Sequence, residues 1–412
     1  MGARREVVIT GLGVLSPIGI GVPQLHEHLR ENRSGIRVWE APEFGMRLPV
    51  GLIERDFSGE FTKLELPYLD RCSQLAVLAA KQAAEDAGIS QFDSFGQRAG
   101  LYFGSVGGGV KVEHEWVEEF HVRRKRAAKP YTIMACMLNS APAHISIRQQ
   151  ILGPVMTHSS ACTSSGAAIG DAFRAIRDGY LDVALAGGAE ACLIPTFVAL
   201  WTSLRALADP DPFAVERSCR PFDRKRSGLV LGEGAVFFVL EAKESAQRRG
   251  AEAYARMSGY GVASDGYHIG SPKSEGQIAT LRAALQDAGL QAADIDYLNA
   301  HATATPGGDP VEARAIAAVF ENVPVSSTKA IHGHLLGAAS ALELAVTMLA
   351  VNRSFLPATA HLDEIDPACA LNHVARTPVF GRSVRNAMSL SAGFGGTNVA
   401  LVVSSDSGMP AK

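Results

Sequence analysis

The sequence predicts an α/β fold built from two similar halves. Three observations support this prediction. Short β-branched stretches alternate with Ala-rich amphipathic stretches along the chain, which is typical of α/β layers with buried parallel strands. Several helical stretches close on a glycine, the residue favoured just past a helix C-terminus. Two of them end alike, AAEDAGI at residue 89 and AALQDAGL at residue 290, each several residues before a strand-like stretch. That period is too long for a solenoid and favours an internal duplication.

The segments follow from the spacing of their apolar residues. Strands are predicted at REVVITGLG, LYFGSVGGG, VALAGGAEA, AVFFVLEA, YLNAHATA, AMSLSAGFGG and VALVVSS. Helices are predicted at LAVLAAKQAAEDAGI, GAAIGDAFRAIRDGYL, KESAQRRGA, QIATLRAALQDAGL, PVEARAIAAVF and ALELAVTMLAV. No Pro/Ser-rich linker separates the halves, so we expect residues 1–250 and 251–412 to form two halves of one packed unit.

Composition narrows the class of function. Hydrophobic residues make up 47% and charged residues 20%, an ordinary globular balance, and the net charge of −3 gives no reason to expect nucleic-acid binding. No stretch approaches the ~18 apolar residues that span a bilayer, and the glycine-broken N-terminus is typical of a strand rather than a signal peptide. The six cysteines stand far apart with no C-x-x-C pair, which argues against a zinc site or a disulfide scaffold. We therefore expect a cytoplasmic protein without membrane contact.

One short stretch is strongly basic. A solvated loop explains it as well as a docking patch for an acidic partner does, and both interpretations stay open. Its residues are Arg123, Arg124, Lys125, Arg126 and Lys129.

Cys162 is the cysteine whose surroundings suggest chemistry. In THSSACTSSGAAIGDAF it follows an apolar approach and precedes small residues that become a helix. Amides at a helix start favour a thiolate and can hold an oxyanion. A buried, inert thiol is the commoner fate of a free cysteine.

Three more segments carry candidate residues. In YLNAHATATPGGDPVEARA, His301 closes a strand where ligands bind in α/β proteins, and Asp309 is explained by helix capping. In STKAIHGHLLGAAS, His332 and His334 lack the third ligand that a metal site needs. The Gly-rich SAGFGGTN around Phe394 allows close ligand approach, but no G-K-[ST] follows, so it is not a phosphate loop. One thiol, two histidines and an amide loop together indicate acyl transfer through a thioester.

At this point the chain resembles the β-ketoacyl-acyl-carrier-protein synthases of the thiolase superfamily, closest to the type II elongating enzymes. The resemblance runs over nearly the whole chain and lies in motifs that occur in the family's order. These are VVITGLGVLSPIG, SSACTSSGAAIGDA, RPFDRKRSGLVLGEGA, DGYHIGSP, HATATPGGD, STKAIHGHLLGAAS and GFGGTN.

The resemblance implies the five-layered αβαβα thiolase-like fold, made from two duplicated halves and usually dimeric. By position, Cys162 is the acylated nucleophile, and His301 and His334 are the two catalytic histidines. Lys329 matches the active-site lysine and Glu312 an acidic partner in its network.

The resemblance also implies the substrate contacts. Phe394 matches a gating residue whose N–H completes the oxyanion hole. Thr303 and Thr305 match contacts to the pantetheine arm, and His268 and Gly395 lie in matching substrate-binding motifs.

The implied activity is the decarboxylative condensation of a Cys162-bound acyl group with malonyl-carrier, giving 3-oxoacyl-carrier in fatty-acid or type II polyketide or polyene synthesis. The partner is an acyl carrier protein, and neither a metal nor an organic cofactor is needed.

Departures from the family pattern suggest where this chain differs. Ala302 and Ser340 replace glycines, and His332 stands where a threonine is common. Since the stretch before Asp70 reads LELPY rather than basic, we expect carrier recognition to shift toward Arg123–Lys129 and Arg205. Gly107 replaces an isoleucine that lines the acyl channel, which predicts a wider channel for long, rigid or aryl-capped chains.

Two other classes compete with this interpretation. A thiolase needs a second cysteine in the last Gly-rich loop, where this chain has SAGFGG. A non-catalytic, chain-length-determining subunit usually lacks the nucleophile. The chain could still be the catalytic member of a heterodimeric pair, so a homodimer and a heterodimer both remain open.

Overall fold

The computed structural model describes residues 4–406 and 408–412. Its strands are β1 Val7–Ser16, β2 Gly19–Ile20, β3 Ile36–Ala41, β4 Met46–Gly51, β5 Ala99–Gly104, β6 Val155–His158, β7 Val183–Glu190, β8 Leu231–Gly232, β9 Gly234–Ala242, β10 Ala255–Ser264, β11 Tyr297–Asn299, β12 Val325–Ser326, β13 Phe355–Leu356, β14 Val379–Phe380, β15 Asn386–Ala392 and β16 Thr397–Ser404. Its helices are α1 Val22–Glu31, α2 Arg71–Asp86, α3 Val110–His121, α4 Thr132–Cys136, α5 Ser140–Gln149, α6 Ser164–Arg177, α7 Pro195–Ser203, α8 Lys243–Arg248, α9 Ser274–Ala288, α10 Gly308–Ala317, α11 Lys329–His332 and α12 Ala339–Arg353.

One large sheet runs through both halves of the chain. Its strands lie in the order β12-β11-β15-β16-β10-β1-β9-β7-β5-β6, with β2 beside β1. The halves join where β1 pairs antiparallel with β10. The prediction of parallel strands holds only toward the two ends of the sheet, because β9 and β16 return antiparallel beside their neighbours.

Helices cover this sheet in layers. In the middle, α6 packs on β5, β7 and α12, while α12 packs on β15 and β9. Outside, α2 covers β1 and β9 in the first half, and α9 covers β10 and β16 in the second. This is the αβαβα layering that the resemblance implied, and it buries α6 and α12 at the centre of the molecule.

The two halves repeat one packing arrangement, which confirms the duplication. Each of β1 and β10 carries a bulge next to a glycine, and that glycine touches the outer helix. A Cβ on Gly11 would lie 2.2 Å from the carbonyl oxygen of Ala83, and one on Gly259 would lie 2.6 Å from that of Ala284.

An aspartate also repeats between the halves. Asp86 accepts a hydrogen bond from the N–H of Leu12, and Asp287 accepts one from the N–H of Tyr260. Both aspartates belong to the shared Asp-Ala-Gly ending of α2 and α9. The exact division of the chain at residue 250 stays a prediction.

The sequence analysis predicted no element over several helices of the described ranges, including α1 and α11. α3, α4, α5 and α7 occupy stretches for which no element was predicted, and none of the residues of α3 is buried. Among the helices in the described ranges, none has the length and apolar character needed to cross a bilayer.

Candidate active site

Cys162 lies in a tight turn between β6 and α6. Ala161 adopts a left-handed backbone conformation with φ of 54°, and α6 begins two residues after Cys162 at Ser164. The Ser164 hydroxyl donates to the Ala161 carbonyl and accepts from the Ser160 N–H, which closes the turn. The thiol therefore stands at the positive end of a buried helix, and its residue is only 6% exposed.

Small side chains allow α6 to approach α12 closely. A Cβ on Gly166 would lie 2.9 Å from the Cβ of Ser340, and Ser165 accepts from the N–H of Ala341 at 3.0 Å. The Ser340 hydroxyl donates to the carbonyl oxygen of Cys162 at 3.0 Å. Ser340, noted in the sequence only as a small departure, thus ties the turn of Cys162 to α12.

Two histidines from the second half face the thiol. His334 Nε2 lies 2.9 Å from Cys162 Sγ, and the ring of His301 stands edge-on to that of His334 with centroids 5.3 Å apart. One donor atom from each of the three residues lies within 4.8 Å of the others. That spacing would also suit a metal ion, so a metal-free site stays a prediction.

Backbone amides face the same sulfur. Burial raises the pKa of the Cys162 thiol to about 11, and the charge of Lys329 and the N–H groups of Phe394 and Cys162 act in the opposite direction. The glycine before Phe394 is required, because a Cβ on Gly393 would lie 2.9 Å from the Ser160 carbonyl oxygen. Two main-chain donors therefore point at the atom where an acyl group would be held.

Lys329 is the charged group beside the histidines, and it is fully buried. It forms an ion pair with Glu343 of α12, and its Nζ lies 3.4 Å from His301 Nδ1. An ammonium can only donate, so His301 accepts at Nδ1 and keeps its own proton on Nε2. Burial, and next the charge of Lys329, lower the pKa of both His301 and His334 well below the usual range, so both rings are neutral.

Glu312 acts differently from the expected partner of Lys329. Its two carboxyl oxygens accept from the N–H groups of His301 and Ala302, at 2.6 and 2.7 Å. Burial, and next the nearby Asp309, raise its pKa to about 8. Glu312 thus holds the backbone of His301, and the acid paired with Lys329 is Glu343, which the sequence analysis missed. A glutamate within the apolar stretch ALELAVTMLAV was the available signal.

A cavity of about 540 Å³ opens onto the thiol. Several residues expected at the site line it, and so does Trp201, whose ring packs against Phe394 with centroids 5.7 Å apart. Trp201 was missed because α7 was not recognised. The expected residues on the wall are Cys162, His301, His334, Thr303, Thr305, His268, Phe394, Glu312 and Arg205.

Two expected substrate contacts lie outside this cavity. Gly107 is not on its wall, and a Cβ there would meet Cys192 Sγ at 2.2 Å. The predicted widening at Gly107 is therefore wrong for this structure, because Cys192 fills the space that a side chain would take. Gly395 also lies off the wall, with φ of 85°, and its N–H donates to the Ile269 carbonyl instead.

The basic stretch lies on the surface after α3, away from the cavity wall. Arg123 and Lys125 pair with Glu118 and Glu119 of α3. The remaining cations of the stretch are exposed to solvent. Arg205 stands apart from them on the cavity wall.

A thiol at a helix start, with two neutral imidazoles and paired amides in a cavity, defines an acyl-transferring condensing enzyme of the thiolase-like fold. Residues 4–246 match the family described as "Beta-ketoacyl synthase, N-terminal domain", and residues 254–363 match its C-terminal domain. The chain belongs to the β-ketoacyl synthase family.

Known relatives agree with this assignment. The chain is 35% identical to 3-oxoacyl-[acyl-carrier-protein] synthase 2 of Staphylococcus aureus (strain N315), covering 98% of this chain and 99% of that protein. It is 38% identical to Nodulation protein E of Rhizobium sp. (strain N33), covering 96% and 98%. Among solved structures, "The ishigamide ketosynthase/chain length factor" matches with a TM-score of 0.88 and 33% identity, over 98% of this chain and 100% of that one.

The buried charge of Lys329 gives a first prediction. Because that charge lowers the pKa of Cys162, Lys329→Met should raise it and slow alkylation of Cys162 by iodoacetamide at pH 8 by roughly tenfold. Adding Glu343→Gln should reverse part of this shift, since the Glu343 charge acts against that of Lys329. Mass spectrometry of the Cys162 peptide against pH measures both, and an unchanged profile in Lys329→Met would contradict the assignment.

Proposed function

We propose that the chain transfers an acyl group from a carrier thioester to Cys162 and condenses it with malonyl-carrier to give 3-oxoacyl-carrier, in fatty-acid or type II polyketide synthesis in the cytoplasm. The observation that carries this is the 2.9 Å contact of His334 with Cys162, with His301 alongside and a cavity leading to the sulfur.

In the first half-reaction the sulfur of Cys162 attacks the acyl thioester carbonyl. The oxyanion that forms is stabilised by the N–H groups of Cys162 and Phe394. When it collapses, the bond to the carrier sulfur breaks, and the carrier thiol leaves with the proton that the Cys162 thiol has lost. Thr303 and Thr305 on the cavity wall offer hydroxyls to the amide groups of the pantetheine arm.

In the second half-reaction His301 and His334 donate hydrogen bonds from Nε2 to the malonyl thioester oxygen. Carbon dioxide leaves, and the two imidazole N–H donors stabilise the negative charge of the enolate. Its carbon then attacks the acyl carbonyl on Cys162, the C–S bond of the acyl-enzyme breaks, the Cys162 sulfur leaves as a thiolate that takes up a proton, and 3-oxoacyl-carrier is released. Because both rings are neutral and that of His301 is oriented by Lys329, they need not lose a proton for this role.

Separating the two half-reactions tests the proposal. Cys162→Ala should abolish condensation yet still release carbon dioxide from malonyl-carrier, because both imidazoles remain. His301→Ala and His334→Ala should each lower carbon dioxide release about 100-fold or more, the usual cost of a lost oxyanion donor. Cys219→Ala, a buried thiol off the cavity wall, is the matched control and should keep both activities. Full condensation by Cys162→Ala would contradict the proposal.

A second subunit is proposed at the β6 end of the sheet. β6 pairs on one side only, with β5, and an unpaired edge beside exposed apolar residues favours association. The solved relative named above pairs a ketosynthase with a chain length factor. Since Cys162 and both histidines are present here, this chain would be the catalytic subunit of such a pair or one half of a homodimer. The exposed apolar residues of this edge strand are Val155 and Met156.

Mass measurement in solution tests that face. The purified chain alone should have twice its 43.5 kDa mass, and Met156→Glu should shift it toward the monomer because a charge would be buried at the edge. A matched change elsewhere, Val379→Glu, should leave the dimer intact, since Val379 is 44% exposed and lies in β14, which belongs to a separate two-stranded sheet. A stable monomer that condenses only with a related subunit added would replace the homodimer by a heterodimer.

The basic stretch is proposed to dock the acidic carrier. Arg124, Arg126 and Lys129 are exposed and form no ion pair in the described residues, so they are free to meet carboxylates. Arg124→Glu with Arg126→Glu should raise KM for the carrier substrate roughly tenfold while kcat on acyl-pantetheine stays unchanged, because rim charges act on encounter. Arg282→Glu, exposed on α9, is the control. An unchanged carrier KM would contradict docking at this stretch.

A further inference from the structure

His332 is a buried histidine without contact to the thiol. It lies two residues before His334, is 0% exposed, and uses both ring nitrogens in hydrogen bonds. Its main-chain carbonyl is held between two strands, because a Cβ on Gly51 or Gly232 would come within 2.1 or 3.0 Å of it. Neither ring nitrogen is free for a metal ion.

The hydrogen bonds of the ring determine its tautomer. Nδ1 lies 2.6 Å from the Gly333 carbonyl oxygen, which can only accept, so Nδ1 carries the proton. Nε2 therefore accepts from the Thr328 hydroxyl at 3.1 Å. Burial, and next the charge of Lys329, lower the pKa of His332 to about 3, so the ring stays neutral throughout the working pH range.

The peptide that precedes His334 is held at both ends. Gly333 has φ of 71° and ψ of −168°, a region that glycine adopts readily but residues with a Cβ essentially do not. Its carbonyl accepts from His332, while the N–H of the same peptide unit, on His334, donates to the Val230 carbonyl at 2.6 Å. Rotation of this peptide would break both bonds and move the imidazole away from Cys162.

The same chain of bonds reaches the strand that carries the other histidine. Thr328 Oγ1 accepts from Asn299 Nδ2 at 3.4 Å, and Asn299 lies in β11 two residues before His301. Asn299 Nδ2 also donates to the Tyr297 hydroxyl at 3.1 Å. His332 is thus one of the links between β11 and the turn of His334, beside the hydrogen bond of Ser327 to the Ala302 carbonyl.

We propose that His332 is a positioning residue, which holds the Gly333–His334 peptide in its glycine-specific conformation and couples the placement of the His334 imidazole to the strand of His301. Its effect on turnover rests on the proposed function, while its effect on the Cys162 thiol does not.

Two substitutions distinguish the contribution of the His332 hydrogen bond to Gly333 from the contribution of side-chain packing. In His332→Asn, the amide nitrogen can replace Nδ1 as donor, whereas His332→Leu removes both bonds. We expect His332→Leu to lower kcat per titrated Cys162 at least about tenfold with KM for malonyl-carrier within about twofold, since small misplacements of reacting groups are costly. It should also move the pH profile of Cys162 alkylation by iodoacetamide to higher pH, and His332→Asn should restore most of both.

Thr328→Val supplies a variant that leaves His332 in place. It removes the donor to Nε2 and should shift kcat and the alkylation profile in the same direction by less. If His332→Leu and Thr328→Val lower only the melting temperature and leave kcat and the profile unchanged, the positioning role is overturned. If the wild-type protein does not condense at all, the proposed function fails, and the alkylation profile still decides the role of His332.

Discussion

Contact between two central helices is the constraint on which the site depends. Cys162 belongs to the first half and His334 to the second, and they meet because α6 and α12 touch through Gly166 and Ser340. A larger residue at either position would separate the halves where the reacting atoms lie. The duplicated fold therefore brings the turn that carries Cys162 and the turn that carries His334 together at the centre of the molecule.

Burial shifts the pKa values of Cys162, both histidines and Glu343 around that centre. Burial, and next the charge of Lys329, lowers the pKa of His301 and His334, and the same charge offsets part of the rise that burial causes in the pKa of Cys162. Glu343 compensates this charge, and burial raises its pKa to about 7, against the effect of Lys329. A site built in this way presents neutral hydrogen-bond donors to a carbonyl oxygen. Such donors stabilise the negative charge of an enolate, and a strong base is not needed.

Much of the fold and of the site was predictable from the sequence, because the motifs contain residues that the local backbone requires. The duplication followed from two helix endings, and their aspartates proved to hold equivalent strand bulges. The grouping of Cys162, His301 and His334 followed from the family resemblance. Glu343, only 14 positions from Lys329, was overlooked as a charged residue within an apolar helix. Trp201 was missed because its partner, Phe394, is distant in the chain. Gly107 misled for the same reason, since the space beside it is filled by Cys192, 85 positions away in sequence (192 − 107).

Trapping the acyl-enzyme tests the central claim most directly. After incubation with an acyl-carrier protein and no malonyl-carrier, peptide mass mapping should find one acyl group on the peptide that contains Cys162 and none on the other five cysteines. Acylation should fail in Cys162→Ala. An acyl group on another cysteine, or stoichiometric acylation of Cys162→Ala, would contradict the account.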